Sequence, residues 1–166
     1  DGNYQENEYN AEGQVIGLKT TPYSYALNGL MVGDQPQTSY VLGASLTPIK
    51  GLRVQGIYKM YDKNYSDWSP DAREIEDGDA DREQVWMAPS YSRLNLHINY
   101  DLPVDLGGTN ISLFAHVFNA LDAVYVQDAI DHSQYNGYGD RTHSAHNAEV
   151  FLGVPRNFNL GLKVNF

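Results

Sequence analysis

Cysteine is absent from this chain of 166 residues. Its absence excludes disulfide bonds, thiolate metal sites and cysteine nucleophiles. A run of about 18 consecutive apolar residues is absent too, so the sequence predicts no transmembrane helix. The mean hydropathy of -0.49 is polar, but it does not exclude a membrane β-barrel, because half of each spanning strand faces a polar interior. These absences do not decide between a water-soluble protein and a membrane β-barrel.

Basic residues are scarce, since 11 Lys and Arg stand against 21 Asp and Glu and the net charge is -10. Nucleic-acid binding needs a basic footprint, and this balance argues against it. The acids concentrate in three segments, 1–14, 66–89 and 126–149. Charge runs of this kind are typical of solvated loops.

Catalytic signatures are also missing. The chain contains no GxSxG motif, no P-loop and no dinucleotide fingerprint, and no pair of residues is nominated as nucleophile and base. We therefore predict a protein without enzymatic activity and without a cofactor.

The clearest positive signal is the alternation from Arg156 to Phe166. Its apolar positions are Phe158, Leu160, Leu162, Val164 and Phe166. Successive side chains of a β-strand point to opposite faces, so the segment is predicted to be an amphipathic strand. A strand of about 11 residues is long enough to cross a bilayer core at a tilt. A surface strand of a soluble β-sandwich has the same alternation, so other segments must decide.

Four earlier segments also have strand character, namely 38–47, 52–65, 91–100 and 111–125. The connections between the strands alternate in length: 48–51 and 102–110 are short, whereas 66–89 and 126–153 are long. Short turns on one side and long loops on the other are typical of transmembrane β-barrels. Residues 1–37 are predicted to form an outer hairpin and loops, with a turn near Asn10–Gly13.

Three stretches carry a family resemblance: Val32–Pro70, Phe114–Ala129 with its segment Phe118–Asp122 and Tyr125, and Gly153–Phe158 continuing to Phe166. Together they resemble the C-terminal part of a TonB-dependent outer-membrane receptor. The resemblance implies a barrel of about 22 strands and a separate N-terminal plug. It also implies a receptor for active uptake of a nutrient ligand, such as a siderophore or an oligosaccharide. Deleting Phe166 is expected to impair insertion, if the final strand is the membrane-assembly signal.

The resemblance also implies partners and a location. This chain is expected to be all-β, an antiparallel segment of about six or seven barrel strands without the plug domain. Open sheet edges are not tolerated in lipid, so the remainder of the receptor is expected to complete the barrel. The other expected partners are outer-membrane lipid, the TonB complex and a surface lipoprotein, and the expected location is the outer membrane of a Gram-negative cell.

Two other interpretations stay open. One is a complete eight-stranded outer-membrane barrel with a structural or adhesion role, for which 166 residues is a fitting length. The other is a soluble β-sandwich that binds carbohydrate. Extraction without detergent would distinguish the sandwich from both barrels.

Aromatic residues in the long loops are the candidate ligand contacts, because such rings can stack on sugars or aromatic ligands: Trp68, Trp86, Tyr135 and Tyr138. The run Asp77, Asp79 and Asp81 is a weak candidate for calcium. An EF-hand loop would need Gly and Glu where this chain has Arg82 and Ala88, so no metal site is assigned.

Histidine occurs in two settings. His132, His143 and His146 lie in the second long loop without a metal-binding motif. His97 and His116 are expected on the polar sides of adjacent strands, where they can come close to one another. We predict that these two are polar residues of the barrel interior rather than metal ligands.

Overall fold

The computed structural model describes residues 2–75, 80–104, 107–133 and 142–166. Within them lie ten strands: β1 (Gly2–Tyr9), β2 (Val15–Tyr23), β3 (Pro36–Ile49), β4 (Leu52–Tyr65), β5 (Met87–Ala88), β6 (Tyr91–Asp101), β7 (Asn110–Phe118), β8 (Val126–Asp131), β9 (Ala148–Leu152) and β10 (Asn157–Asn165). A short 3₁₀ helix occupies Pro70–Arg73. Among the residues that the structure describes, no helix has the length and apolar composition of a membrane span.

Five long strands form one antiparallel sheet in the order β10-β7-β6-β4-β3, and the short β5 also pairs with β4. The all-β, antiparallel prediction is therefore confirmed. The predicted six or seven barrel strands are not all present in this sheet, because β1 and β2 pair only with each other, as do β8 and β9. The outer strands β3 and β10 do not pair with one another, so the described sheet is open.

The register of the sheet separates apolar from polar residues across all five strands. One row runs through Leu46, Val54, Ile98, Ala115 and Leu160. The adjacent row runs through Ser45, Gln55, His97, His116 and Asn159. Because neighbouring residues of a strand point to opposite sides, the sheet has one apolar face and one polar face.

No layer of the described residues covers the apolar face. Leu46 is 69% exposed and Leu160 is 77% exposed. No residue of β3, β6, β7 or β10 is buried, and in β4 only Asn64 is buried, close to its end. The buried apolar residues lie instead outside the long strands: Ala26, Val85, Ala88, Tyr125 and Ala129.

Phe114 interrupts the alternation of β7 because it lies on the polar face, directly opposite Gly161 of β10. A Cβ atom at Gly161 would lie 2.0 Å from the Phe114 ring. The ring therefore covers the position where the glycine lacks a side chain, as in the aromatic rescue of strand glycines.

The prediction of a strand from 111 to 125 is wrong beyond Phe118. Asn119 and Asp122 have φ values of 51° and 55°, a left-handed conformation that Asn and Asp tolerate better than most residues. The Asn119 side chain also accepts a hydrogen bond from the Ala123 N–H (3.0 Å) and donates one to the Ala123 carbonyl (2.9 Å). The chain therefore turns before Tyr125, and the predicted loop 126–153 contains the hairpin β8–β9.

The predicted alternation of short and long connections is confirmed. Residues 50–51 and 102–109 make the short turns, whereas 66–90 and 119–156 make the long connections at the opposite end of the sheet. Residues 24–35 enter β3 at that same end. We call the described parts of 24–35, 66–90 and 119–156 the loop cap.

Candidate functional site

Backbone hydrogen bonds join the three segments of the loop cap. The Ala26 N–H donates to the Arg73 carbonyl over 2.8 Å. The Asp67 N–H donates to the Ala129 carbonyl over 2.7 Å, and the Asp131 N–H donates to the Asp67 carbonyl over 2.8 Å. The described parts of the three segments therefore form one packed unit at the end of the sheet rather than separate loops.

A close approach at Gly33 brings residues 24–35 against the first long connection. A Cβ atom there would lie 2.4 Å from the Asp67 Cα, so only glycine fits without a shift. This junction is acidic. The negative charge of Asp67 raises the pKa of Asp34 above its usual value, and partial desolvation and the charge of Asp128 raise it further.

A charge cluster links the two long connections and is formed by the buried residues Arg73, Asp131 and His143 with the more exposed Asp81. Arg73 is 1% exposed, and its Nη1 lies 2.8 Å from the Asp81 Oδ1. The same Nη1 donates to the Glu83 carbonyl over 3.0 Å. A buried charge is costly unless it is paired and hydrogen-bonded. The first long connection pairs the charge of Arg73, whereas the Arg73 Nε has no hydrogen-bond partner among the described residues.

His143 lies between two carboxylates that belong to different connections. Its Nε2 is 2.7 Å from the Asp81 Oδ2, and its Nδ1 bonds to the Asp131 Oδ2. The Arg73 Nη2 also lies 3.4 Å from the His143 Nδ1. The Ser133 hydroxyl donates to Asp131, so the cluster is not arranged as a nucleophile, base and orienting acid. Its geometry suits a structural link.

The pKa of Asp81 reflects its contacts with Arg73 and His143. Partial burial acts to raise its pKa, but the hydrogen bonds from the Glu83 N–H and the His143 ring act in the opposite direction. With the charges of Arg73 and His143 added, the pKa of Asp81 lies below its usual value. The carboxylate is therefore held in its ionised form.

The predicted loop aromatics fall in different places. The Trp68 Nε1–H donates to the Met31 carbonyl over 2.9 Å, so this indole holds two cap segments together. The Trp86 carbonyl accepts hydrogen bonds from Ser66, and the Trp86 side chain is half-buried. Tyr135 and Tyr138 lie outside the described residues.

Of the three acids weighed for calcium, Asp77 and Asp79 also lie outside the described residues. Both oxygens of Asp81 are occupied by Arg73 and His143. Across the described ranges, no group of three or more His, Asp or Glu side chains is arranged to hold a metal ion. Sequence spacing alone did not predict the ion pairs of Asp81.

An arginine surrounded by tyrosines lies on the polar face near the loop cap. The Arg93 Nη1 donates to the Tyr125 hydroxyl over 2.9 Å, and the Nη2 donates to the Tyr61 hydroxyl over 3.3 Å. Tyr91 stacks on Tyr125 with ring centroids 4.3 Å apart. Lys59 lies directly opposite Arg93 in the register. The result is a cationic, aromatic patch on the polar face.

This patch is not among the features predicted from the sequence. The alternation of β4 and β6 places Tyr61, Tyr91 and Arg93 on one face, which was an available signal. The sequence predicts a strand at Tyr125, but the chain turns here and places the Tyr125 ring over β6. Its ring covers Gly153, where a Cβ atom would lie 1.9 Å from the ring, and Tyr125 is 4% exposed.

Two cavities open where the loop cap meets the sheet. One of about 320 Å³ is lined by Tyr58, Met60, Ser90, Tyr91, Ser92, Ala123 and Val124. The other, of about 150 Å³, is lined by Pro89, Ser90, Tyr91, Val124, Tyr125, Val126 and Leu152. Tyr91 lines both cavities and contacts the cationic patch, so it marks the junction between the sheet and the cap.

The expected contact between the two strand histidines is confirmed. His97 and His116 are directly opposite one another in the register of β6 and β7. Their Nδ1 atoms are 2.9 Å apart. Both rings are partly exposed on the polar face.

The residues predicted as the membrane-assembly signal lie at the outer edge of the sheet. They share the apolar face of β10 and its end, and their exposed fractions run from 37% for Val164 to 100% for Phe166: Phe158, Leu160, Leu162, Val164 and Phe166. No described side chain covers them as a hydrophobic core would.

Comparison with protein-family models, with curated proteins and with solved structures found no match.

Proposed function

We propose that this chain forms part of the barrel of a TonB-dependent outer-membrane receptor that imports a nutrient ligand such as a siderophore or an oligosaccharide. The observation that carries the proposal is the apolar face of the five-stranded sheet. It extends without interruption over all five strands and has no covering layer among the described residues.

A lipid environment suits this face. Leaving apolar surface in water costs about 25 cal/mol per Å², and soluble monomers rarely expose large contiguous apolar patches. Hydrocarbon removes that cost. β3 and β4 have 14 residues each, which exceeds the roughly 9–11 residues that a transmembrane strand needs.

The connections and the polar face support a receptor role. Long connections collect at one end of the sheet, as the outer loops of a membrane barrel do. On the polar face, Lys59, Arg93 and the surrounding tyrosines provide cationic and aromatic contacts near that end. The resemblance of Phe118–Asp122 and Gly153–Phe158 to the receptor family is consistent with this arrangement. In the proposal, the remaining strands, a plug domain and the TonB complex complete the transporter.

The open edges and the uncovered face give less support to the other interpretations. A β-sandwich packs the apolar faces of two sheets against each other, and no second sheet covers this face in the part of the chain that the structure describes. A complete eight-stranded barrel closes its first and last strands on each other, whereas β3 and β10 remain unpaired with one another.

Two neighbouring residues of β3 provide a matched test in the full-length protein. Leu42 is on the apolar face and Val41 is on the polar face, and both are exposed. Arginine on the lipid side costs about 2–4 kcal/mol at the bilayer midplane and less near the interfaces. Arginine at position 41 would face Lys59, and a like-charge pair costs about 0.2–1 kcal/mol. We therefore expect Leu42→Arg, but not Val41→Arg, to reduce the folded protein in the outer membrane.

The same variants test import in a strain that lacks the native copy. Growth is compared on a panel of iron chelates and oligosaccharides, with and without a functional TonB protein. Wild type and Val41→Arg are expected to restore growth on at least one source, only when TonB functions, whereas Leu42→Arg restores less. Equal membrane insertion of both variants would contradict the placement of the sheet. Normal insertion with no TonB-dependent growth on any source would contradict the import role alone.

A further inference from the structure

The His97–His116 pair has the geometry of a metal chelate, and we infer that it binds a divalent transition-metal ion. This inference departs from our sequence-based expectation that the pair is only polar lining. It depends on the register of β6 and β7 and does not require the import role proposed above.

The distance between the two nitrogens carries the inference. The Nδ1 atoms of His97 and His116 are 2.9 Å apart. Imidazole nitrogens bind zinc at about 2.0–2.1 Å, so two of them at an angle of about 90° at the metal lie about 2.9 Å apart. The two rings therefore stand at the separation of neighbouring ligands around one ion.

The sheet holds this separation in place. His97 and His116 are a directly opposite pair on adjacent antiparallel strands, so their Cα positions are fixed by the backbone ladder. The Phe118 ring packs edge-on against His97 at 5.7 Å, and the Phe114 ring lies 5.4 Å from His116. Two strands and two aromatic rings thus limit the freedom of the imidazoles before any ion binds, which favours binding.

The surroundings leave the imidazoles available. Among the described residues, no carboxylate forms an ion pair with either ring. Without metal, one Nδ1–H donates to the other Nδ1. When an ion binds, that proton moves to the Nε2 atom of the same ring, so both Nδ1 lone pairs face the metal and no net proton is released.

The donor set selects a class of ion. Imidazole suits copper, nickel and zinc, whereas calcium and magnesium prefer oxygen ligands. An angle of about 90° between ligands fits the tetragonal geometry of Cu²⁺. Gln55 and Asn159 flank the pair in the same row of the polar face and add oxygen donors nearby. Water or the donor atoms of a bound chelator fill the remaining coordination positions.

The test uses Cu²⁺ and Zn²⁺ alone with the full-length protein, purified in detergent without a histidine tag. The variants are His97→Gln, His116→Gln and the double substitution. His132→Gln is the matched control, because His132 lies on the loop cap and pairs with Glu149. Titration gives the affinity, and electron paramagnetic resonance of bound Cu²⁺ counts the coordinated nitrogens. Retention of the folded, heat-modifiable species verifies each variant.

We expect one tight Cu²⁺ site with two imidazole nitrogens in wild type and in His132→Gln. Each strand variant should lose at least the roughly 10–100-fold in affinity that is typical even for outer-sphere partners of a metal site. The double variant should show no signal from two nitrogens at one ion. Equal Cu²⁺ affinity in wild type and in a correctly folded double variant would overturn the inference. So would a wild-type spectrum without two coordinated nitrogens.

Discussion

The five-stranded sheet exposes apolar side chains, whereas the loop cap buries charged side chains. Leu160 of the sheet is 77% exposed, but Arg73 of the cap is 1% exposed. The sheet is held by backbone ladders and has almost no buried side chains. The cap is held by hydrogen bonds, ion pairs and a few small buried residues such as Ala26 and Ala129.

The difference shows that the two regions depend on different surroundings. Contact between water and the apolar face of the sheet is unfavourable. An apolar medium or layer that covers this face therefore stabilises the sheet. The buried charges of the cap do not depend on water for stabilisation, because each of them forms an ion pair within the cap. Substitutions are therefore expected to affect the two regions by different mechanisms.

The largest effect on the cap is expected from Arg73→Met. Breaking a buried ion pair costs about 3–5 kcal/mol, and we expect the low end because Asp81 is 39% exposed. The loss should appear as faster proteolysis and faster amide exchange of the cap, with the sheet unchanged. Arg156→Met is the control, since Arg156 and Asp122 form an exposed pair at 3.4 Å that is worth at most about 1 kcal/mol. Equal effects of the two substitutions would contradict the central role of the charge cluster.

A smaller effect is expected in the sheet from Gly161→Ala. The new Cβ atom would lie 2.0 Å from the Phe114 ring, and overpacking costs about 1–3 kcal/mol. Gly43→Ala is the matched control, because its nearest neighbour would lie 3.9 Å away. Unfolding in detergent should separate the two variants. The double variant Gly161→Ala, Phe114→Ala should be less sensitive to the added methyl group, and a penalty that persists there would exclude the ring contact as its cause.

The smallest effect is expected from pH. The folded-state pKa of Asp81 is below its usual value of 3.8, so its contribution to stability is fully present above that value. The contribution is lost as the pH falls through the lower, folded-state pKa. Protection factors of the cap amides, which are exchange rates corrected for the intrinsic pH dependence of exchange, should therefore fall as the pH drops below about 4. The fall should be smaller in Asp81→Asn, and an identical pH profile would show that other groups control the cap.

Regular alternation made much of the sheet predictable from sequence. The predicted strand 52–65 coincides with β4, and the predicted hairpin near Asn10–Gly13 is confirmed by β1 and β2. The meeting of His97 and His116 followed from their positions on adjacent strands. The periodicity of two and the turn residues are local properties, so short segments contain enough information to predict strands and hairpins.

The loop cap was not predictable in the same way. Arg73 and His143 are 70 residues apart in the sequence, and no local sequence pattern predicts their contact. The end of β7 was missed because a left-handed Asn119 interrupts the strand without any change in hydrophobicity. The residues predicted for ligand binding were chosen as aromatics in long loops, but Trp68 is engaged in holding cap segments together. Tertiary packing, not local propensity, decides such positions.

The position of His143 between Asp81 and Asp131 has a consequence for the mechanics of the cap. The two long connections are tied together there and again by the backbone bonds between Asp67 and Ala129. At these contacts the described parts of the two connections are coupled, because a displacement of one pulls on the other. The entropy of ordering these contacts is lost during folding. A molecule that binds beside them would not have to supply that cost, and preorganisation of this kind favours association.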